Sequence, residues 1–386
     1  MVLMHPPAAL AGLVCLAVAA GYAVVAVAAV LAWELRRTRE STAALPPVTV
    51  LKPLCGAEPG LYAHLRSYCE QEFPEFQIVF GVRDPGDPAL AVVEQLVREF
   101  PTLPIDVVIN PRLHGSNYKI SNLINMGAHA RHAVLVMADS DTYVGADYLR
   151  NVTAPLLDRQ VGLVTCLYRD VPTSRLWSRL GAMYINEWYM PSVLVAWLFG
   201  HDGYVSGQTL CIRAQTLQAI GGFPAMANHL ADDYRMGELV RALGLRVVLS
   251  HYLPLAGHEE PSYDSLCRHE LRWMRTIHVL QPLGFKLLCL SFSLPLAALG
   301  LALTLADPSL ARLAWELFGS ALLARLVLHL RGRWRGERPP FADLWLLAWR
   351  DLLILWVWSR SFLSSRVSWR GNEFEVGADG VMRRPP

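Results

Sequence analysis

Short apolar runs alternate with amphipathic stretches between residues 46 and 250, and this pattern predicts strands that alternate with helices. The predicted strands are Val48–Lys52, Gln77–Val82, Ile105–Ile109, Ala133–Ala138, Gly162–Leu167, Tyr204–Ile212 and Arg246–Leu249. The predicted helices are Tyr62–Gln71, Pro88–Phe100, Tyr118–Arg131, Leu176–Phe199 and His229–Leu243. Such alternation indicates an α/β fold with a mostly parallel sheet that is covered on both faces.

Longer apolar runs lie outside this region and predict membrane spans. Ala8–Trp33 is long enough to cross a bilayer, and Leu283–Ala306 and Leu310–Leu330 could form a helix pair. A cleavable signal peptide is the alternative for the first run, but no Lys or Arg precedes it. Positive charges follow it instead, at Arg36, Arg37 and Arg39. The positive-inside rule therefore predicts an external amino terminus and a cytoplasmic catalytic domain in a multi-pass protein of the inner membrane.

The carboxyl-terminal part is less regular. A basic loop, Arg331–Arg338, supports the same orientation, and Phe341–Phe362 is apolar but contains charged residues. Because charges inside a span are costly, this segment is predicted to lie in the membrane interface or to re-enter it. The predicted segments are an anchor at 1–35, a catalytic domain at 46–280, a helix pair at 281–330, and a loop, interfacial helix and cytosolic tail at 331–386.

Composition narrows the class of protein. Hydrophobic residues make up 53% of the 386, which agrees with membrane spans. The net charge is only +2, so we expect no nucleic-acid partner. The seven cysteines form no CxxC pair and no cluster with histidine, which favours reduced thiols over a disulfide framework or a structural zinc site.

The predicted strand Ala133–Ala138 ends abruptly at Asp139-Ser140-Asp141. Ligands of open α/β sheets bind beyond the carboxyl ends of the strands, where these two carboxylates are expected. Such a pair can hold Mg²⁺ or Mn²⁺ against a diphosphate, because these cations take one or two protein carboxylates and complete their shell with phosphate and water. The alternative is that the tripeptide is only a turn after a strand.

Three further features share the same region with that acidic pair. Asp84 follows the strand Gln77–Val82, Asp232-Asp233 opens a helix, and Arg272-Trp273 precedes the second apolar run. Taken singly, they could be a turn former, a helix start stabilised by the dipole, and an interface anchor. Their occurrence in order on one domain favours a common function. Three histidines without metal-ligand spacing are predicted to be structural: His251, His258 and His278.

These motifs resemble a known group of enzymes. The segments concerned are VTVLKPLCGAEPGL, NYKISNLINMG, ADSD, SGQTLCIR, GGF, LADDYRMG, LRWMRT and SWRGNEF. With them the chain resembles family-2-like GT-A glycosyltransferases, whose pattern is Asp, DxD, (E/T)D and (Q/R)xxRW. Within that group it is similar to ceramide glucosyltransferases and, more closely, to the bacterial glycosyltransferases of hopanoid synthesis. The likeness is good over residues 46–280 and looser beyond them.

The resemblance implies a Rossmann-like GT-A domain and a role for each motif. Asp84 would contact uridine, and Lys119 would approach the diphosphate or the donor sugar. Asp139 and Asp141 would hold the metal, with Asp139 also against the nucleotide sugar. Asp233 would be the catalytic base. The pair Arg272-Trp273 would close over the diphosphate and the acceptor.

The residue types suit this chemistry independently of the resemblance. Loss of a nucleoside diphosphate from an anomeric carbon leaves negative charge that a metal ion stabilises. A single carboxylate that takes the proton of an acceptor hydroxyl then suffices, and this geometry inverts the anomeric centre. Arginine is suited to the departing phosphates because its planar fork pairs with their oxygens.

Two positions depart from the family pattern. Position 269, which is Gln or Arg in (Q/R)xxRW, is His269 here, so the resemblance assigns no role to that position. The metal motif is DSD, whereas the ceramide enzymes have DSG, and this difference favours the hopanoid branch.

The sequence therefore predicts a metal-dependent, inverting, membrane-anchored glycosyltransferase. The resemblance to the hopanoid branch implies a reaction that moves N-acetylglucosamine from a UDP-sugar to a hopanoid polyol at the cytosolic face of the bilayer. One alternative is transfer of glucose from UDP-glucose to ceramide. Another is a processive polysaccharide synthase, which would need more spans around a channel, and a third is a membrane scaffold that has lost the chemistry.

Overall fold

The computed structural model describes residues 5–36, 44–173, 175–201, 203–334, 341–369 and 372–384. The chain divides into two compact units. The sheet unit comprises Thr38–Thr173, His201–Glu259 and Gly380–Pro386, and the helical unit comprises Met1–Arg37, Ser174–Gly200 and Glu260–Asp379. Residues 174–200 and 260–280, which were predicted to belong to the catalytic domain, thus group with the apolar helices.

The strands in chain order are β1 (Val48–Pro53), β2 (Phe76–Val82), β3 (Ile105–Ile109), β4 (Val134–Met137), β5 (Thr142–Tyr143), β6 (Val161–Cys166), β7 (Arg169–Asp170), β8 (Leu210–Arg213), β9 (Arg246–Ser250), β10 (Leu255–Ala256), β11 (Arg366–Trp369), β12 (Asn372–Val376) and β13 (Met382–Arg383). The helices are α1 (Pro7–Leu35), α2 (Leu61–Cys69), α3 (Ala89–Glu99), α4 (Tyr118–Gly127), α5 (Tyr148–Thr153), α6 (Leu176–Tyr184), α7 (Met190–Leu198), α8 (Ala214–Ala219), α9 (Asp232–Ala242), α10 (Tyr263–Leu280), α11 (Pro282–Leu287), α12 (Ser293–Thr304), α13 (Ala311–Trp334) and α14 (Leu347–Ser361).

A sheet in the order β3-β2-β1-β4-β8-β6-β9 forms the centre of the sheet unit. Every residue of β2, β4 and β6 is buried, as expected for strands covered on both faces. The neighbours β1–β2, β2–β3, β1–β4 and β6–β9 are parallel, whereas β8 runs antiparallel to β4 and β6. The predicted α/β class with a mostly parallel sheet is confirmed.

The predicted strand Tyr204–Ile212 is shorter than expected, because only Leu210–Arg213 pairs in the sheet. Its first residues bond to side chains instead of to a neighbouring strand. The Gly207 N–H donates to Asp233, and the Ser206 carbonyl accepts from the Thr165 hydroxyl at 3.2 Å. A strand pattern in the sequence cannot distinguish these two uses of the backbone.

The helical unit contains the apolar segments. Within the described residues, Pro7–Leu35 and Pro308–Gly332 are long and apolar enough to cross a membrane. The predicted span Leu283–Ala306 is bent by 66° between α11 and α12. Pro295 gives the reason, since its ring clashes with the carbonyl four residues earlier and it has no N–H to donate, so a helix can only restart there. The pair counts as a third span only if both parts are taken together.

The predicted helix Leu176–Phe199 is also interrupted. A π-helical turn, Ile185–Tyr189, separates α6 from α7. Pro191 lacks the N–H that would bond to the Glu187 carbonyl, so the regular ladder cannot continue through this point. The side chain of Glu187 is buried and accepts hydrogen bonds from Arg325 at 2.8 Å and from His329 at 2.9 Å.

The segment predicted to be interfacial contains α14, which has 15 residues. After it, β11 and β12 form an antiparallel hairpin. Parts of several predicted features lie outside the described residues: Arg37 and Arg39 after the first span, residues 335–338 of the basic loop, and residues 370–371 of the SWRGNEF segment.

Candidate active site

The acidic turn Asp139–Asp141 begins directly beyond β4, at the centre of the sheet. Two hydrogen bonds hold the backbone of this turn: the carbonyl of Asp139 accepts from the Lys52 ammonium at 2.5 Å and from the Thr142 hydroxyl at 2.7 Å. Lys52 comes from the neighbouring strand β1 and is fully buried. The turn is therefore anchored to two adjacent strands.

Lys52 has few other polar neighbours. Its ammonium lies 3.8 Å from the ring centroid of Tyr68 and 3.3 Å from the Thr142 hydroxyl, which also bonds to the Tyr68 hydroxyl at 2.7 Å. Burial lowers the pKa of Lys52 to about 7, although Asp141 and Asp139 oppose that shift. Burying a charged lysine among apolar groups costs free energy, so we infer that Lys52 serves a function in the acidic turn that it contacts.

Lys119 lies in the first turn of α4, and this position brings its side chain into the site. The helix begins at Tyr118 because the Asn117 side chain caps it by accepting from the Ile120 N–H at 3.0 Å. The Lys119 ammonium then lies 2.6 Å from an Asp139 carboxylate oxygen and 3.9 Å from Asp232. Burial disfavours its charge, but these carboxylates outweigh burial and raise the pKa of Lys119. Lys119 is thus a cation at neutral pH.

Asp233 lies at the start of α9 and both of its carboxylate oxygens accept backbone hydrogen bonds. The donors are the N–H groups of Gly207 and Tyr234, each at 2.7 Å. Burial, followed by the charge of Asp232, raises the pKa of Asp233 to about 6. A carboxylate of this kind is ionised at neutral pH and is still a better proton acceptor than an ordinary aspartate.

Gly207 lies where these groups converge. A methyl group at this position would be 3.0 Å from the Lys119 ammonium, 3.4 Å from Asp233 and 3.8 Å from Asp139. The absence of a side chain therefore leaves the space that these three functional groups share. Three predicted site residues from separate parts of the sequence, Lys119, Asp139 and Asp233, are brought together around it.

Asp141 has surroundings suited to a cation. One carboxylate oxygen lies 3.4 Å from His258, whose other ring nitrogen is 3.3 Å from Asp170. The other oxygen is buried and has no hydrogen-bond partner within the described residues. A buried, unsatisfied carboxylate oxygen costs free energy unless a ligand binds it.

The residues present fit a divalent cation. Within the described part of the chain, no group of three or more His, Cys, Asp or Glu side chains is arranged to hold a metal ion. Two carboxylates are nevertheless sufficient for Mg²⁺ or Mn²⁺ when a diphosphate supplies further oxygens. Asp139 and Asp141 are the residues that would hold it.

Asp84 lies beyond the carboxyl end of β2, on the same sheet. Its side chain is exposed and accepts from the Gly86 N–H at 2.8 Å. This is the local turn bond that the alternative interpretation predicted. The exposed carboxylate keeps further lone pairs for a ligand.

Arg272 and Trp273 belong to the helical unit, on α10. Trp273 stacks on Tyr184, with ring centroids 5.6 Å apart, and contacts the tilted ring of His269, with centroids 4.0 Å apart. His269, at the position that departs from the family pattern, bonds to Glu260 at 2.8 Å. His269 therefore contacts both the Trp273 ring and the buried side chain of Glu260.

Three residues of the site were not predicted from the sequence: Lys52, Gly207 and His258. His258 was predicted to be structural, but the structure places it beside Asp141 and Asp170. Lys52 could have been noticed as a lysine at the end of an otherwise apolar strand. Gly207 lies in the matching segment SGQTLCIR, but no local feature assigns a role to it or to His258, because their partners are distant in the sequence.

Comparison with known proteins identifies the family of the chain. The family described as glycosyl transferase family 21 matches residues 13–382. Ceramide glucosyltransferase 1 of Caenorhabditis elegans is 21% identical over 362 residues, which are 91% of this chain and 76% of that protein. Ceramide glucosyltransferase 3 of the same organism is 22% identical over 372 residues, with 92% and 78% covered. The predicted resemblance to ceramide glucosyltransferases is confirmed.

A solved structure shares the fold. The mannosyltransferase of Pyrobaculum calidifontis, in complex with GDP-mannose and Mn²⁺, has a TM-score of 0.53 and 17% sequence identity, covering 92% of this chain and 98% of its own. The predicted GT-A-type fold is thereby confirmed. With the match over nearly its whole length, the chain belongs to glycosyl transferase family 21.

Proposed function

We propose that this glycosyltransferase moves a sugar from a UDP-sugar to a hydroxyl group of a membrane lipid, with inversion at the anomeric carbon. The observation that carries the proposal is the convergence of Lys119, Asp139 and Asp233 around Gly207. These residues supply a cation, a metal-binding carboxylate and a raised-pKa carboxylate in one place. The same chain has helices that can cross a membrane, which suits a lipid acceptor.

Asp233 would act as the base. Its backbone hydrogen bonds fix the carboxylate, and each oxygen retains a lone pair that can accept the proton of the acceptor hydroxyl. The hydroxyl oxygen then forms a bond to the anomeric carbon, while the bond from that carbon to the diphosphate breaks and its electron pair leaves with UDP. Attack opposite to the leaving group inverts the centre.

Lys119 would neutralise the departing diphosphate, because its ammonium lies beside Asp139, one of the two carboxylates that would hold the divalent cation. A divalent cation held by Asp139 and Asp141 would add its charge to that stabilisation. Asp84 would contact the uridine, and Arg272 and Trp273 would act on the diphosphate and acceptor. These roles rest on the matching motifs.

The acceptor has two candidates. The DSD motif favours N-acetylglucosamine and a hopanoid polyol, whereas the curated relatives are ceramide glucosyltransferases. Both acceptors offer a hydroxyl at the membrane surface, so the chemistry of the site is the same for each. We place the sheet unit in the cytosol, where UDP-sugars are available, with the external amino terminus that the positive-inside rule predicts.

A transfer assay tests the proposal. The purified protein in nanodiscs receives UDP-N-acetylglucosamine or UDP-glucose with either a hopanoid polyol or ceramide, and product lipids are identified by mass spectrometry. N-acetylhexosamine on the hopanoid supports the first acceptor, and hexose on ceramide supports the second. A soluble polymer without lipid product would contradict the proposal and favour a processive synthase.

A substitution of Asp233 tests its assignment as the catalytic base. Asp233→Asn keeps the shape of the side chain but removes its basicity, so we expect kcat to fall by roughly 10²- to 10⁴-fold. Glu94→Gln, on the exposed side of α3, is the matched control and should transfer at the normal rate. Normal activity of Asp233→Asn would remove Asp233 from the mechanism.

A further inference from the structure

The segment that follows the helical unit re-enters the sheet unit at Gly380. This residue has φ +75°, a left-handed conformation that glycine adopts without strain. The chain turns there and runs antiparallel to residues 228–230, with Val381 opposite His229. We call residues 380–382 the strap.

Backbone hydrogen bonds attach the strap on both sides of that residue pair. The Leu230 N–H donates to the Gly380 carbonyl at 3.1 Å, and the Met382 N–H donates to the Asn228 carbonyl at 2.8 Å. The side chain of Met382 is buried, with 3% of its surface exposed. The attachment therefore combines a paired backbone with apolar burial, as when a peptide adds a strand to a sheet edge.

The segment that the strap pairs with, residues 228–230, leads directly into the candidate site. Its next residues are the start of α9, which carries Asp233. The Asn117 side chain donates to the His229 carbonyl at 2.9 Å and to Asp232 at 3.2 Å, while the same side chain caps the helix that carries Lys119. The segments of the proposed base and of the diphosphate-binding lysine are thus joined at residues 228–230.

Ser116 connects the strap to the second of these segments. Its hydroxyl donates to the Met382 carbonyl at 3.3 Å, and its N–H donates to the Asn228 side chain at 2.9 Å. The strap consequently touches two of the chain segments that supply side chains to the site, those of Lys119 and Asp233, although it carries no group of its own into that site.

We propose that the strap positions Lys119 and Asp233 for transfer, an inference that rests on the proposed function. Without it, the Asn228 carbonyl and the Leu230 N–H lose their partners, and the loop before α9 gains freedom. A displacement of a catalytic group by about 1 Å can cost roughly 10²-fold in rate. The strap residues are positioning residues, and loosening them lowers kcat.

Met382→Pro in the full-length protein tests the strap, because it removes the N–H that donates to Asn228. Met382→Leu, which keeps the N–H and the apolar volume, is the matched control, and Arg384→Ala tests an exposed neighbour outside the strap. Two readouts are needed: kcat and KM for lipid transfer, and amide hydrogen exchange at residues 114–120 and 225–235.

We expect Met382→Pro to lower kcat about 10- to 100-fold, to accelerate exchange in those two segments, and to leave exchange in β1 and β4 unchanged. Both controls should match the parent protein. Unchanged kcat, or unchanged exchange at residues 225–235, would overturn the proposal. If Met382→Pro unfolds the sheet unit, Ser116→Ala removes a strap contact more gently and should show the same pattern at smaller size.

The two proposals fail in different ways. A parent protein that transfers no sugar contradicts the proposed function, whatever the variants do. A parent protein that transfers sugar at the same rate as a well-folded Met382→Pro contradicts only the strap.

Discussion

Asp233 differs from the other carboxylates of the site in having backbone donors on both oxygens and no cation in direct contact among the described residues. Asp139, by comparison, is paired with Lys119. Burial raises the pKa of both carboxylates, so the two differ in their direct partners: Asp139 contacts the Lys119 ammonium, whereas Asp233 contacts backbone N–H groups. This difference is a property of the individual residues rather than of the acidic motif.

The pH dependence of transfer follows from this. Burial raises the pKa of Asp233 to about 6, and the protonated acid cannot act as a base. We therefore expect kcat/KM to fall tenfold per pH unit below about 6 and to level off above it. The rate profile of the parent protein, measured at saturating metal, checks this prediction. An identical acidic limb in the residual activity of Asp233→Asn would assign the titration to another group.

Lys52 offers a second test at this scale. Lys52→Met keeps an unbranched side chain but removes the ammonium that holds the Asp139 carbonyl. Residues behind a metal ligand typically contribute 10- to 100-fold to metal affinity or activity, so we expect the activating metal concentration to rise by roughly tenfold or more. Metal titrations of the transfer rate measure this.

Lys52→Arg retains a charge but not its compact shape, and it should give an intermediate result. Thermal unfolding of both variants separates a change at the turn from general loss of stability. A metal requirement that stays the same in a folded Lys52→Met protein would contradict the assigned role.

At the scale of elements, the packing of α1 depends on small residues. A methyl group added at Gly12 would lie 2.6 Å from the Gly300 carbonyl and 2.6 Å from the Thr304 hydroxyl. The backbones of α1 and α12 therefore approach closely, as small residues permit in membrane helices. Ala297 and Leu16 are buried in the same contact.

Gly12→Val should lower the stability of the helical unit by about 1–3 kcal/mol, because the added atoms force the two helices apart. Gly21→Val on the same helix is the matched control, since a methyl group there meets nothing within 4 Å. Thermal unfolding in detergent measures both. Equal unfolding temperatures for the two variants would show that close contact of α1 with α12 is unimportant.

At the scale of the whole molecule, the site has more acidic than basic side chains. Asp139, Asp141, Asp232 and Asp233 accompany the lysines 52 and 119, so a bound diphosphate requires additional positive charge. We expect a chelator to abolish lipid glycosylation and Mg²⁺ or Mn²⁺ to restore it. Transfer that continues at full rate in excess chelator would contradict metal dependence.

The α/β class, the strand that precedes the acidic turn and the long apolar helix α1 were all predicted from the sequence. Each depends on a local pattern: a short apolar run bounded by polar residues, or a run long enough for a bilayer. The candidate chemistry was predictable for a similar reason. Carboxylates at the ends of strands reach the same edge of a parallel sheet, whatever the details of the loops.

Other features depended on residues that are far apart in the sequence. The antiparallel β8 enters the sheet between β4 and β6, although its own residues read like those of any strand. The bend before α12 and the π-helical turn before α7 arose at prolines within otherwise apolar runs. Apolar composition predicts burial, but it does not determine where the backbone hydrogen bonds of a helix are interrupted.

The sequence by itself determined the seven strands of the central sheet and their order along the chain, because periodicity and apolar length act within about 5–25 neighbouring residues. Only the tertiary structure decided which distant groups meet: Lys52 beneath the acidic turn, the Gly207 N–H on Asp233, and Met382 against Asn228. Those contacts join segments separated by tens to hundreds of residues, and they form because buried polar groups must find partners once the core excludes water.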